Sequence, residues 1–419
     1  MSRTILDVHI LQTVPPSNIN RDDTGAPKSA VYGGVRRSRV SSQAWKKATR
    51  NAFGELLDPA DLGVRTKKVV DALTRRITAR ETSLTAEQVW PMAAEVIQVA
   101  TGAKIETPAR KTGAKGGKGD PRGEGAPEPQ APQSSYLLFL SARQLDLLAD
   151  LALEGIAKKA DPKVHLKDPE VKSRAKKAAA TRHSVDIALF GRMVADNTDL
   201  NVDAAAQVAH ALSVHPVDLE ADYFTAVDDQ NGDAEPGAGM IGTVDFNSAT
   251  LYRYAAVDVD LLAANLDAGL TDDERRAEPA PGPAPAPTPE PVRRAVEAFV
   301  EAFTLSMPSG KINTFGNHTL PDAVVVKLRS ARPVSFVGAF ERPVTREGTG
   351  DGHVRAACEA LAAHVPAVEE SFGAAADHTW IVRVGEQTEA LAPLGEQVNL
   401  RELVGRVGDA VAERMGKRG

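Results

Sequence analysis

Residues 4–13 (TILDVHILQT) alternate, with Leu6, Val8 and Ile10 on one side and Asp7 and His9 on the other. That is the period-two signature of a strand. The runs that could pair with it lie hundreds of residues away: GMIGTVDFNSATLYRYAAVDV, and apolar stretches near 322–329, 333–340 and 379–384. A sheet whose strands come from both ends of a chain forces the intervening material to leave the sheet and return. This predicts an α+β fold, with a helical insertion carried on a sheet domain.

The material between is helical. Ser41-Ser42 caps a helix from about Gln43 to Leu57, with Trp45, Ala48, Ala52 and Leu56 as its buried stripe. Gln43, Lys46, Lys47 and Arg50 fall at i, i+3, i+4 and i+7, a separate polar face. Residues 61–103 read as helical with Pro91 interrupting them, SYLLFLSARQLDLLADLALEGIA as a strand entering a helix, and 163–182 as a basic helical stretch. Further helices are expected at 291–306 and near 398–415. Two segments are too poor in apolar residues to fold alone: 107–134 (Gly, Pro, Lys and Glu) and the Pro-Ala linker 277–291. The basic half of the first could touch a polyanion, or the segment could simply be a disordered insertion.

Charge is partitioned. The net charge is −6, yet residues 21–50 hold eight Lys/Arg against two Asp and residues 158–182 hold nine against three acids. Such partition lets one surface hold a polyanion while the rest keeps the chain soluble. No apolar run approaches the ~20 residues a membrane helix needs, and the N-terminus lacks the apolar core of a signal peptide. The single cysteine, Cys358, sits in an apolar helical pattern and excludes an internal disulfide; it fits a buried filler in a reducing, cytoplasmic setting.

The strongest local signal is NRDDTGAPKSAVYGGVRRSRVSSQAWKKATR, a Gly-containing basic loop feeding a helix N-terminus. Helix N-termini favour phosphate through their N–H groups and dipole, and Ser41, Ser42, Gln43, Lys46 and Lys47 add donors and charge. The spacing is not that of a nucleotide-binding P-loop. It suits a sugar–phosphate backbone held by charge and position. In ADYFTAVDD, Tyr223 and Phe224 are either a core pair or exposed aromatics able to stack on bases. In LSMPSGKINTF, Gly310, Lys311 and Asn313 could form another backbone-binding turn. His210 and His215 are five apart, off the spacing that places two ligands on one helix face. Asp22-Asp23 and Asp228-Asp229 could ligate a divalent cation or merely flank turns.

The order of motifs carries a resemblance. NRDD, GG-RRSRVSSQ with Lys46-Lys47, VDIALFGRM, AHALSVH, YFTAVDD, IGT-DF and LYRY resemble the CasC-type backbone subunit of type I-E CRISPR Cascade, from the first strand to the last. The resemblance implies an RRM-like (ferredoxin-like) palm, a helical fingers insertion and a β-hairpin thumb. By it, residues 1–60 and 246–419 form the palm, 61–190 the fingers and 191–245 the thumb region. Several copies would stack head to tail along one guide RNA and present it to target DNA beside other Cascade subunits, without cofactor, catalytic metal or membrane. The guide backbone would lie on Arg21, Lys28, Ser41, Ser42, Gln43, Lys46, Lys47 and Arg50, to which the Lys311 turn is added. The thumb would flip out a base with Tyr223, Phe224 and Thr225, and Met193 would pack on the displaced nucleotide. The first aromatic is commonly Trp in the family. Related type III backbone subunits cut RNA with a loop aspartate, so the alternative is a metal-dependent RNA-cleaving subunit using Asp22 or Asp23; the type I-E resemblance implies no such activity.

Overall fold

The computed structural model describes residues 3–108, 129–194, 196–227, 238–267, 290–345 and 352–417. In chain order its elements begin with β1 (Ile5–Ser17), β2 (Ser29–Tyr32), β3 (Val35–Val40) and α1 (Ser42–Leu56). Next come β4 (Gly63–Thr66), α2 (Val69–Arg80), α3 (Ala86–Thr101), β5 (Ile105–Glu106), β6 (Gln133–Ser134), β7 (Leu138–Ser141), α4 (Ala142–Ala157), α5 (Pro162–Lys167), α6 (Pro169–Ala180) and α7 (Val185–Phe190). Then follow β8 (Ala206–Val208), β9 (Ala211–Ser213), β10 (Glu220–Val227), β11 (Ala238–Asp258) and α8 (Val259–Asp267). The last group is α9 (Glu290–Leu305), α10 (Ile312–Phe315), β12 (Ala323–Arg329), α11 (Val354–Phe372), β13 (His378–Arg383), β14 (Glu396–Gln397) and α12 (Leu400–Gly416).

The chain divides into two compact units, one of Met1–Leu56, Ala206–Leu262 and Pro285–Gly419, the other of Leu57–Ala205 and Ala263–Ala284. The first holds a sheet of order β14-β13-β12-β1-β11-β9-β3-β2, antiparallel except for β13–β14. As expected, β1 takes its partners from far away: Ile10 lies opposite Arg253 on one side and Val324 on the other. Pro15 and Pro16 fall where the β1–β11 register shifts, a place where a strand can spare an N–H.

Both faces of this sheet are covered. On the Leu6, Val8 and Ile10 face, Arg253 stacks on Trp45 of α1 and Phe303 of α9, and α9 packs on α12. On the other, Leu11, Tyr252, Val325 and Ile381 pack against Val354, Cys358, Leu361 and Val365 of α11. Asp7 and His9 are therefore buried too. Arg329 donates to Asp7 at 2.7 Å, and His9 stacks on Tyr254. Cys358 is a buried filler whose thiol burial pushes up to about 12.

The second unit is mainly helical, its core drawn from α2, α3, α4 and α6. Capping boxes open α3 at Thr85 and α4 at Ser141.

Four local expectations are corrected. The stripe of α1 is Trp45, Thr49 and Phe53, i, i+4 and i+8, while Leu56 is exposed in the last turn. Residues 61–103 are not all helical: β4 pairs with β7, and the break falls at 81–85. Pro91 lies inside an unbroken α3; its missing N–H costs one helical hydrogen bond, to the Glu87 carbonyl. Residues 333–340 form no strand; a 3-10 turn at Val337–Phe340 buries Phe336 and Phe340 four residues apart. Most of 107–134 and of the Pro-Ala linker, and Asp228-Asp229, lie outside the described residues.

Candidate nucleic-acid interface

Two asparagines fix the basic loop, Asn18 against β11 and Asn20 against the start of α1. Asn18 is buried, and its Nδ2 donates to the carbonyls of Gly25 (2.9 Å) and Asp245 (2.8 Å). Asn20 Oδ1 accepts from the Ser41 N–H at 2.9 Å, and the Asn20 carbonyl accepts from the Lys28 N–H. The loop between folds back through an Arg21–Pro27 bridge. Arg21, Lys28 and the start of α1 thus form one surface, built by polar side chains that avoid charge themselves.

The helix start follows ordinary capping. Ser41 Oγ and its carbonyl accept from the Ala44 N–H, and the first turn carries no acid. Gln43 and Lys47 are exposed, while Ser41, Ser42, Lys46 and Arg50 are half-buried. Burial beside the core pushes the Lys46 ammonium below its ordinary value. A partly dehydrated cation of this kind gains more from an incoming phosphate than a fully solvated one does.

The Lys311 turn reaches the same loop. A side chain on Gly310 would collide with the Ile19 carbonyl, so only glycine permits this approach. Lys311 follows in the left-handed conformation, φ 49°, and is half-buried; Asn313 is exposed. The basic loop, the α1 first turn and the Lys311 turn are thereby brought together.

Not every arginine of the loop contributes. Arg37 is wholly buried and donates to the carbonyls of Tyr32, Ser213, Phe340 and Glu341. It closes the β2–β3 hairpin, whose two-residue turn is Gly33-Gly34 with φ +60° and +77°. Arg36 points out, and Arg39 is tied to the Ser29 carbonyl and to His210 Nδ1. Burial, with Arg39 and Lys28 nearby, lowers the His210 pKa. His215 donates from Nδ1 to the Pro216 carbonyl and accepts the Thr250 N–H on Nε2. These two histidines are committed to separate partners. Among the described residues no three His, Cys, Asp or Glu side chains cluster for a metal.

Asp22 is engaged in its own turn: Oδ1 accepts from the Thr24 hydroxyl (2.7 Å) and the N–H groups of Thr24 and Ala26. The Thr24 hydroxyl, first among these, lowers its pKa. Asp23 is exposed beside it.

The aromatic pair lies on the β10–β11 hairpin, outside the core. Tyr223 is 62% exposed and Phe224 36%. They pair with Thr243 and Gly242, and Thr225 with Ile241, so Tyr223 and Thr225 share one face and Phe224 takes the other. The residues between the two strands, 228–237, lie outside the described set. In the second unit Arg192 is anchored by the carbonyls of Leu200, Phe139 and Ala179, and burial pushes it down to about 10. Its neighbour Met193 is 84% exposed. A fixed arginine thus holds an outward methionine.

Sequence reasoning singled out the basic residues but not Asn18, whose side chain ties the basic loop to Asp245. Asn18 follows directly on β1 in a polar loop, where no local pattern marks it as buried.

A profile of the CT1975-like protein family matches residues 6–406. A chain of a solved structure titled "CRISPR RNA-guided surveillance complex, pre-nicking" is 32% identical, with TM-score 0.74, covering 97% of this chain and 100% of that one. A chain of a second, titled "CRISPR RNA-guided surveillance complex", is 29% identical, with TM-score 0.63, covering 96% and 99%. The comparison with curated proteins finds no match. With its profile spanning nearly the whole length, the chain belongs to the CT1975-like protein family.

Proposed function

We propose that the chain binds CRISPR guide RNA along its sugar–phosphate backbone, as a repeated, non-catalytic backbone subunit of a CRISPR RNA-guided surveillance complex. Family membership and the near-complete likeness to chains of such complexes support the subunit assignment. The observation that carries the binding mode is the convergence of Arg21 and Lys28, the α1 first turn and the Lys311 turn. These groups offer charge and hydrogen-bond donors, which suit a sugar–phosphate backbone of any sequence.

In this reading the large sheet is the RRM-like (ferredoxin-like) palm, the helical unit the fingers and the β10–β11 hairpin the thumb. An RNA-recognition sheet usually binds across its open face. Here α11 covers one face and α1 and α9 the other, so the guide runs along the loops and the α1 end. The thumb places Tyr223, Phe224 and Thr225 on a nucleotide, with Met193 against the displaced base. Further copies follow head to tail, and target DNA pairs with the exposed guide. Expression with the neighbouring subunits, followed by sequencing of copurifying RNA, tests this. CRISPR-derived RNA in a multi-copy particle is expected; particles free of RNA would sink the reading.

A further inference from the structure

Arg253 lies within β11 with about 1% of its surface exposed. Its guanidinium carbon stands 3.7 Å from the centre of the Trp45 ring and 4.7 Å from that of Phe303. Nη1 donates to Gln12 Oε1 at 2.6 Å, and Nη2 donates to the Phe303 carbonyl. Gln12 in turn donates from Nε2 to the Thr319 carbonyl at 2.8 Å. One guanidinium therefore joins α1 through Trp45, α9 through Phe303 and β1 through Gln12. One bond further it reaches the segment that follows the Gly310–Lys311 turn.

These partners are neutral: an amide, a carbonyl and two rings. Burial alone accounts for the lowered guanidinium pKa, pushed down to about 9. A buried cation without a counter-charge is a poor source of net stability, and apolar replacements of similar volume often do as well. A planar fork does supply geometry, because it fixes two acceptors and two ring planes at once. Both elements joined here carry proposed guide contacts: α1 bears Lys46 and Lys47, and the turn before Thr319 bears Lys311.

We propose that Arg253 is a positioning residue for guide binding. It holds α1 and the 311–319 segment in one register, so that Lys46, Lys47 and Lys311 meet a single phosphate backbone together. The proposal rests on the binding mode above. The charge of Arg253 matters less than its fork.

The test uses the full chain, an oligouridylate RNA, and the variants Arg253→Met and Arg253→Lys. Arg253→Met keeps the apolar contact with Trp45 and Phe303 and should melt within a few degrees of the parent. Its RNA affinity should fall about tenfold, a typical coupling between neighbours acting as a unit. Its log–log salt slope should shrink by about 0.7, one phosphate contact on a single strand. Arg253→Lys, with the charge but no fork, should not restore either. Unchanged affinity and slope in Arg253→Met would make Arg253 a core filler and overturn the proposal, as would full rescue by Arg253→Lys.

If Arg253→Met fails to fold, Gln12→Leu removes the Arg253–Gln12–Thr319 link and leaves the ring contacts of Arg253 with Trp45 and Phe303 in place. Lys311→Ala should then cost little further affinity in that background while Lys47→Ala keeps its effect. An undiminished Lys311→Ala effect would overturn the proposal. A parent chain that binds no RNA would instead remove the binding mode on which it rests.

Discussion

Phe224 lies across its hairpin on Gly242: a Cβ at Gly242 would stand 2.5 Å from the ring's Cζ. The two residues are directly paired in the β10–β11 register. The ring thus rests on a bare stretch of backbone and needs no core pocket, which leaves it both oriented and 36% exposed.

Phe224→Ala should consequently cost little stability, about 0.2–1 kcal/mol for a cross-strand pair. It should cost the proposed stacking on a displaced nucleotide, about 1–3 kcal/mol. Complexes should still assemble on the guide, while the regular spacing of chemically reactive guide nucleotides fades. A sharp fall in melting temperature with the spacing intact would make Phe224 a structural residue only. Gly242→Val offers a second route, since it dislodges the ring while keeping it in the chain.

Lys46→Ala combined with Lys47→Ala should lower guide retention without unfolding the protein. Lys47 is exposed and Lys46 half-buried, and neither belongs to the Trp45, Thr49 and Phe53 stripe. Trp45→Ala opens a cavity beside Arg253 and should cost about 3–5 kcal/mol. Thermal melts and RNA binding of the two variants check this; a stable Trp45→Ala protein beside an unfolded double-lysine variant would reverse the assignment of faces.

Some of this was visible before the structure and some was not, for physical reasons. The alternation in residues 4–13 and the apolar spacing around Trp45 place β1 and α1, although both faces of β1 are buried and the α1 stripe runs through Thr49 and Phe53. In Arg36-Arg37 the two side chains are identical in type and opposite in fate. Arg37 is inward only because the carbonyls of Ser213 and Phe340 meet it from distant parts of the chain. The Phe336 and Phe340 stretch carries strand-like composition, yet the two rings are buried together by a tight turn. Composition cannot separate those outcomes. Asn18, Gln12 and Arg253 make hydrogen bonds to partners more than 200 residues away in sequence, beyond any local pattern.

Binding should be steeply salt-dependent and nearly indifferent to sequence. With ~4–6 phosphate contacts per copy, the log–log slope for single-stranded RNA should be about −3 to −4. Titrations of two unrelated RNAs across a salt series measure both quantities. A flat response, or a strong preference for one RNA, contradicts a backbone-held guide.

Stability should fall as pH drops from about 6.5 toward 4. Burial, aided by Arg192, pushes His183 down to about 4, and burial, with Arg329 and Lys327, pushes His9 well below its ordinary range. Each is neutral when folded, whereas the unfolded chain takes up a proton near pH 6.5. A depressed folded pKa means that the stabilisation is present above the unfolded value and is lost as pH falls through the window. Asp7 acts in the opposite sense: burial raises its pKa above 3.8, so folding gains from its protonation as pH falls toward the unfolded value. Asp7 therefore offsets part of the loss that the two histidines cause. His183→Gln keeps a polar group beside Gln144 Nε2 and removes one titration. Denaturant midpoints of parent and variant at pH 7 and pH 5 should therefore show a smaller acid-induced drop in the variant, and an equal drop would show that His183 does not drive it.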